Sequence, residues 1–137
     1  MQNDDPITYH PIGVVHSPHK VPEETPVQPV FARGIRGTVE VNDEFAEGLE
    51  DLEQFSHIYL VFHMHRSPGV KLKVKPYLDD QTRGLFSTRG PWRPNPIGFS
   101  VVRLLGRQEN VLDVENVDIL DGTPLLDIKP YVARFDT

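Results

Sequence analysis

Residues 87–100 read Ser-Thr-Arg-Gly-Pro-Trp-Arg-Pro-Asn-Pro-Ile-Gly-Phe-Ser (STRGPWRPNPIGFS) and run on into Val-Val-Arg-Leu-Leu-Gly. Three prolines fix φ and bias the residues before them, Gly90, Arg93 and Asn95, toward extended backbone. A stretch this constrained is neither a flexible linker nor a helix. It leads rigidly into a strand, FSVVRLLG, and the segments on either side also read as strands. HIYLVFHMH (57–65) is nearly continuous apolar sequence, the pattern of a strand covered on both faces. KLKVKPY (71–77) alternates Lys71, Lys73 and Lys75 against Leu72 and Val74. Residues 12–16, 34–41, 110–120 and 125–132 add further strands, the second with Ile35, Val39 and Val41 on one face.

Helical spacing occurs once. In NDEFAEGLEDLEQF (42–55), Phe45, Leu49 and Leu52 recur at four and three residues after Asn42 or Asp43 as N-cap. Many short strands without strand–helix alternation argue against a doubly wound sheet. They predict an all-β fold: a compact, closed or nearly closed β-barrel with one short helix, because closure removes exposed strand edges. At 137 residues the chain suits a single domain, 1–137, with one modest core.

Composition narrows the chemistry. The absence of cysteine excludes disulfides and thiol catalysis in this chain. No apolar run approaches the ~20 residues of a membrane-spanning helix. The opening MQNDDPITYHP has neither signal-peptide nor transit-peptide character, so a cytoplasmic protein is expected. The formal net charge is −6, but it is unevenly distributed. Residues 66–107 carry nine basic and two acidic side chains, a net +7, and the remainder a net −13. Such asymmetry can give an acidic protein one basic face able to hold phosphates.

Three clusters could carry chemistry. Arg89, Arg93 and Asn95 project from the proline-stiffened stretch with little entropy left to lose on binding. An arginine fork there suits a carboxylate or phosphate, and Trp92 a base or cation. In LLDIKPY, Asp127, Lys129 and Tyr131 share one strand face opposite Leu126 and Ile128, just after the turn signal Asp121-Gly122-Thr123-Pro124. His63 and His65 stand at strand spacing and could ligate a metal. No cysteine or suitably spaced glutamate completes such a site, so a hydrogen-bonding histidine is the expected reading and no metal is expected. No G-x-G-x-x-G after a strand, no P-loop and no G-x-S-x-G elbow occurs.

Together, FSTRGPWRPNPIGFSVVRL, LEQFSHIYLVFHMH and ILDGTPLLDIKPY, with IGVVHSP and Pro26-Val27-Gln28-Pro29 near the start, resemble the TrmO (YaeB-like) family of S-adenosylmethionine-dependent tRNA methyltransferases. The resemblance runs from about Ile12 to Tyr131. It implies a cofactor-binding β-barrel, a homodimer with its site near the subunit boundary, and N6-methylation of N6-threonylcarbamoyladenosine beside the tRNA anticodon. Carried over by motif, cofactor contacts fall on Pro26, Val27, Gln28, His65, Arg66, Arg89, Phe99 and the turn Leu120, Asp121, Gly122, Thr123. His65-Arg66 stands where relatives often have His-Gln. Within that framework Asp127 is the expected proton acceptor and Asn95 an orienting group, with Tyr131 in support. Arg93, Lys71, Lys73, Lys75 and Lys129 are the expected substrate-binding cations. Bacterial members generally carry a further C-terminal domain thought to assist tRNA binding, so tRNA affinity in this chain is expected to come from a dimer surface, from another protein, or not at all. The alternatives are a non-catalytic module that binds the cofactor and regulates a partner, and a methyltransferase with another acceptor.

Overall fold

Period-two alternation is realised most fully in the longest strand. Ser100, Val102 and Leu104 point inward and are buried, while Phe99, Val101 and Arg103 face out. The computed structural model describes residues 4–22, 32–76 and 78–136. The strands are β1 (Gly13–His16), β2 (Arg36–Val41), β3 (His57–His63), β4 (Lys73–Val74), β5 (Arg83–Gly84), β6 (Ile97–Gln108), β7 (Val111–Glu115) and β8 (Thr123–Pro130). Six of them close into an antiparallel barrel in the order β1-β2-β7-β6-β3-β8. β8 returns to β1, pairing Leu125 with Gly13 and Thr123 with Val15, so this stretch of sheet has no free edge.

The inward-facing residues fill the barrel. Val15, Val39, Ile58, Leu60, Val102 and Leu112 are fully buried and, with their neighbours, form one contiguous core. A fully buried leucine such as Leu60 is worth ~2–5 kcal/mol against alanine. β6 is long because it serves two neighbours. Its first half pairs with β3, Phe99 opposite Val61, and its second half with β7, Gln108 opposite Val111. A register shift between Leu104 and Gly106 bends it from one partner to the other.

Two elements differ from the sequence expectation. Residues 42–55 form 3₁₀ turns, Asp43–Leu49 and Leu52–Gln54, in place of an α-helix, with Asn42 as a cap that makes no side-chain capping bond. The anchors Leu49 and Leu52 still pack on the core, but Phe45 is exposed. Asp51, at φ 71°, separates the two turns in the left-handed region. The four-residue segment Ala133–Asp136 is α-helical. The KLKVKPY segment pairs only through Lys73 and Val74, in a two-stranded β4–β5 ribbon outside the barrel. Leu72, expected on the covered face, is 62% exposed there.

Candidate cofactor and substrate face

The proline-rich segment 87–96 is fixed by its own hydrogen bonds and by the chain before it. Thr88 Oγ1 donates to the Leu85 carbonyl (2.8 Å), and the Arg93 guanidinium donates to the Thr88 carbonyl. Ser67 Oγ donates to Pro91 O (2.9 Å), Lys71 N–H to Trp92 O (3.0 Å) and Met64 N–H to Pro96 O (2.7 Å). Arg93 is thus half-buried and committed to its loop, and Lys71 lies over the Trp92 ring at 5.1 Å. The Asn95 side chain stands exposed beside them.

Arg89 leaves this platform to lie over the Phe99 ring, 4.7 Å from its centre. Phe99 is 47% exposed on the outer face of β6. The registers of β6, β3 and β8 place Phe99, Val61 and Asp127 in one row across that face. Phe99 and Asp127 are therefore two strand spacings apart, ~10 Å. The adjacent row holds Val101, Tyr59 and Lys129. Tyr59 links the rows through ring contacts with Phe99 (6.0 Å) and Tyr131 (5.9 Å). Desolvation, with the negative charge of Asp136 in second place, raises the Tyr59 phenol pKa. Lys129 Nζ holds the Asp127 carboxylate at 3.1 Å. Arg89, Phe99, Asp127, Lys129 and Tyr131, read from distant parts of the sequence, thus share one face.

The Leu120–Thr123 turn lies at the end of the barrel, where residues 17–20 bind it. The Ser17 N–H donates to Asp121 Oδ1 (2.9 Å), Ser17 Oγ to Ile119 O (2.6 Å), and Lys20 Nζ to Asp121 Oδ2 (3.0 Å). The Ser17 bond, with Lys20 in second place, lowers the Asp121 carboxyl pKa. Gly122 adopts φ +81°, a conformation that favours glycine, with clear space beside its Cα and its N–H donated to Val15 O (2.8 Å). His19, 5% exposed, bonds through Nε2 to Val117 O at 2.8 Å.

Two groups here escaped the sequence reading. Ser100 Oγ donates to Asp118 Oδ1 at 2.6 Å, joining β6 to the loop that becomes the 120–123 turn. Burial raises the Asp118 pKa, an effect opposed by the Ser100 bond and by the charges of His19 and Arg89. The available signal was a lone carboxylate between two apolar residues in Val117-Asp118-Ile119-Leu120, where a buried strand end would be apolar throughout.

Other expected residues lie apart from this face or outside the description. Pro26, Val27 and Gln28 fall outside the described residues. His63 ends β3, and His65 and Arg66 follow in an exposed turn, so the two histidines are not held at strand spacing. Burial, with His63 and Arg66 adding to it, lowers the His65 pKa. Among the described residues no group of three His, Cys, Asp or Glu side chains gathers as metal ligands. Lys73 and Lys75 are exposed on the β4–β5 arm beside Val70, Leu72 and Phe86, the last 75% exposed. No helix among the described residues is long and apolar enough to cross a membrane.

Comparison with known proteins adds to this geometry. Residues 14–137 match the family model of the tRNA-methyltransferase O N-terminal domain. A Pyrococcus abyssi protein named a probable S-adenosyl-L-methionine-binding protein is 58% identical over 130 residues, covering 95% of this chain and 71% of the relative. A crystal structure of TrmO superposes with a TM-score of 0.82 at 43% identity, covering 96% of this chain and 60% of that one. The mouse tRNA (adenine(37)-N6)-methyltransferase is 35% identical over 134 residues, covering 93% of this chain and 31% of the mouse protein. The chain thus spans about 60% of the solved relative and about a third of the mouse enzyme.

Proposed function

The chain belongs to the tRNA-methyltransferase O family, and on that premise we propose that it is an S-adenosylmethionine-dependent tRNA methyltransferase acting on adenine N6. The acceptor is N6-threonylcarbamoyladenosine next to the anticodon. The observation that carries this reading is the shared outer face on which Phe99, with Arg89 over its ring, lies in one row with Asp127. The residues present fit the cofactor. Arg89 makes no ion pair among the described residues, Phe99 offers an exposed ring, and the space above Gly122 in the 120–123 turn is clear of other atoms.

The cofactor supplies an electrophilic methyl group on a sulfonium sulfur. The chain's own task is to align an acceptor nitrogen with that methyl and to take the nitrogen's proton. Alignment is the larger part, since a held near-attack geometry replaces a bimolecular encounter. The Asp127 carboxylate accepts the N6 proton as the C–N bond forms. Lys129, 3.1 Å away, fixes its orientation, and Asn95 and Tyr131 orient the ureido-adenosine. Lys71, Lys73, Lys75 and Arg93 line the phosphate-binding side, with Arg93 limited by its bond to Thr88. The barrel works in the cytoplasm as a homodimer, the dimer being supported by the exposed apolar side chains Ile97, Val101 and Leu105 along β6.

Incubation with methyl-labelled S-adenosylmethionine and bulk tRNA, followed by nucleoside mass analysis, tests this. A methylated threonylcarbamoyladenosine is the expected product. Label in a different nucleoside would overturn the acceptor, and cofactor binding without transfer would point to a regulatory module.

A further inference from the structure

The Leu85–Ser87 turn that follows β5 faces one apolar side chain inward and the next outward. Leu85 is buried, and its N–H donates to Leu72 O (2.9 Å). Ser87 Oγ donates to Gly84 O (2.7 Å) and the Thr88 N–H to Leu85 O (3.0 Å), so both ends of the turn are tied. With three residues per turn, an inward Leu85 puts Phe86 out into solvent, 75% exposed. Among the described residues its ring meets no other aromatic ring and no cation, in contrast to Trp92 under Lys71 and Phe99 under Arg89. A phenylalanine held in water on a fixed backbone forgoes the gain of burial, which marks it as a contact residue.

The charges around this ring select the partner. Gly84 stands opposite Lys73, so the turn begins beside the lysines of β4. Lys73 and Lys75 are exposed and make no ion pair among the described residues. Of the two acidic side chains between Arg66 and Arg107, Asp79 is already held by Arg83 at 3.0 Å. A two-fold contact between copies of this surface would bring two sets of lysines together. An RNA instead brings phosphates to the lysines and a base to the ring. In a paired helix the base faces are covered by their neighbours, so only an unpaired nucleotide has a face to offer.

We propose that Phe86 is a stacking platform for an unpaired nucleotide of the RNA substrate, with the lysines of the β4–β5 arm on the adjoining phosphates. The arm contributes charge and the turn after it contributes a ring face. The platform rests on the tRNA reading above and adds that the protein grips a looped, unstacked stretch of its substrate. The turn runs through Thr88 into Arg89, which ties the platform to the face where Arg89 covers Phe99.

Fluorescence anisotropy with two labelled RNA probes, a stem-loop and a fully paired duplex of equal length, tests this. The unmodified protein should prefer the stem-loop. Phe86→Ala should weaken stem-loop binding by about 5- to 100-fold, the usual worth of one stacked base, and duplex binding by less than about twofold. Phe86→Trp should keep the preference, and Phe86→Leu, apolar but without a ring face, should lose it. The dependence of affinity on salt should stay the same in Phe86→Ala, because a stacked ring neutralises no phosphate. S-adenosylhomocysteine affinity, unchanged in all three variants, reports that the fold is intact. Equal losses on both probes, or full activity of the leucine variant in stem-loop binding, would overturn the platform. So would a Phe86→Ala protein that binds the stem-loop normally but sediments as a smaller species, which would assign the ring to a second copy of the chain. Failure of the unmodified protein to bind either probe or tRNA would instead remove the tRNA reading, and the platform with it.

Discussion

The Arg89 guanidinium lies 4.7 Å from the centre of the Phe99 ring, and Phe99 stands in register, through Val61, with Asp127. One row of the sheet therefore joins a group suited to an anionic ligand end with a group suited to a proton. The two ends should respond to substitution in different ways. Arg89→Ala should weaken S-adenosylhomocysteine binding by about 10- to 100-fold. Asp127→Asn should lower kcat by about 10²- to 10⁴-fold, the usual worth of a general base, with cofactor affinity nearly unchanged. Binding by calorimetry and single-turnover methyl transfer measure the two effects separately. Equal loss of cofactor affinity in both variants contradicts this division of labour.

Gly98, in the Pro-Ile-Gly-Phe run, is fixed by packing. A Cβ at this position would stand 2.5 Å and 2.7 Å from two ring carbons of Phe62, with Met64 Cγ at 3.3 Å. Phe62 packs partly buried against the core, so its ring can yield only by disturbing neighbours. Gly98→Ala should cost about 1–3 kcal/mol, the usual penalty of overpacking. Thermal unfolding reads the loss, and the double variant with Phe62→Leu should recover part of it. If the single variant unfolds at the wild-type temperature, the Phe62 contact does not constrain this position.

Much of this was open to sequence reading, for physical reasons. Alternation along residues 97–108, and the apolar run from His57, fix which faces meet the core, and so the barrel. The segment 42–55 shows where such reading stops. Apolar spacings of three and four residues serve a 3₁₀ turn nearly as well as an α-helix, and Asp51, a type that tolerates the left-handed region, is not marked off in sequence from Asp43 in the same segment. In KLKVKPY the alternation is real, but pairing needs a partner strand, and Arg83–Gly84 supplies only two residues. Asp118 was illegible for another reason. Its hydrogen-bond partner is Ser100, 18 residues earlier, which only the folded chain brings near.

Asp118 and Asp121 should move stability in opposite directions with pH. Burial raises the Asp118 pKa, so folding favours its protonated form. Its contribution is fully present below the unfolded value, about 3.9, and is lost as pH rises through the higher folded one. Hydrogen bonds from Ser17 and Lys20 lower the Asp121 pKa, so its contribution is present above the unfolded value and lost as pH falls through the lower folded one. At pH 7, Asp118→Asn should therefore raise the melting temperature and Asp121→Asn lower it, each by a few degrees. At pH 3 both differences should shrink. A destabilised Asp118→Asn at pH 7 would mean that its Ser100 bond outweighs the cost of burial.

The β4–β5 arm bears on nucleic-acid binding through charge alone. Lys73 and Lys75 are exposed and make no ion pair among the described residues, in contrast to Arg83, which Asp79 holds at 3.0 Å. Free lysines beside exposed Leu72 and Phe86 can neutralise phosphates without first breaking an internal bond. Each phosphate contact releases condensed counterions, so log K falls with log salt by about 0.7–0.9 per contact. Lys73→Ala and Lys75→Ala should each reduce the slope of tRNA affinity against salt by nearly one, and Arg83→Ala by less. Filter binding across a salt series, without cofactor, supplies the slopes. Cofactor affinity should stay unchanged in all three variants, because the arm lies outside the barrel. Unchanged slopes in the lysine variants would move tRNA binding off this arm and onto another surface of the protein.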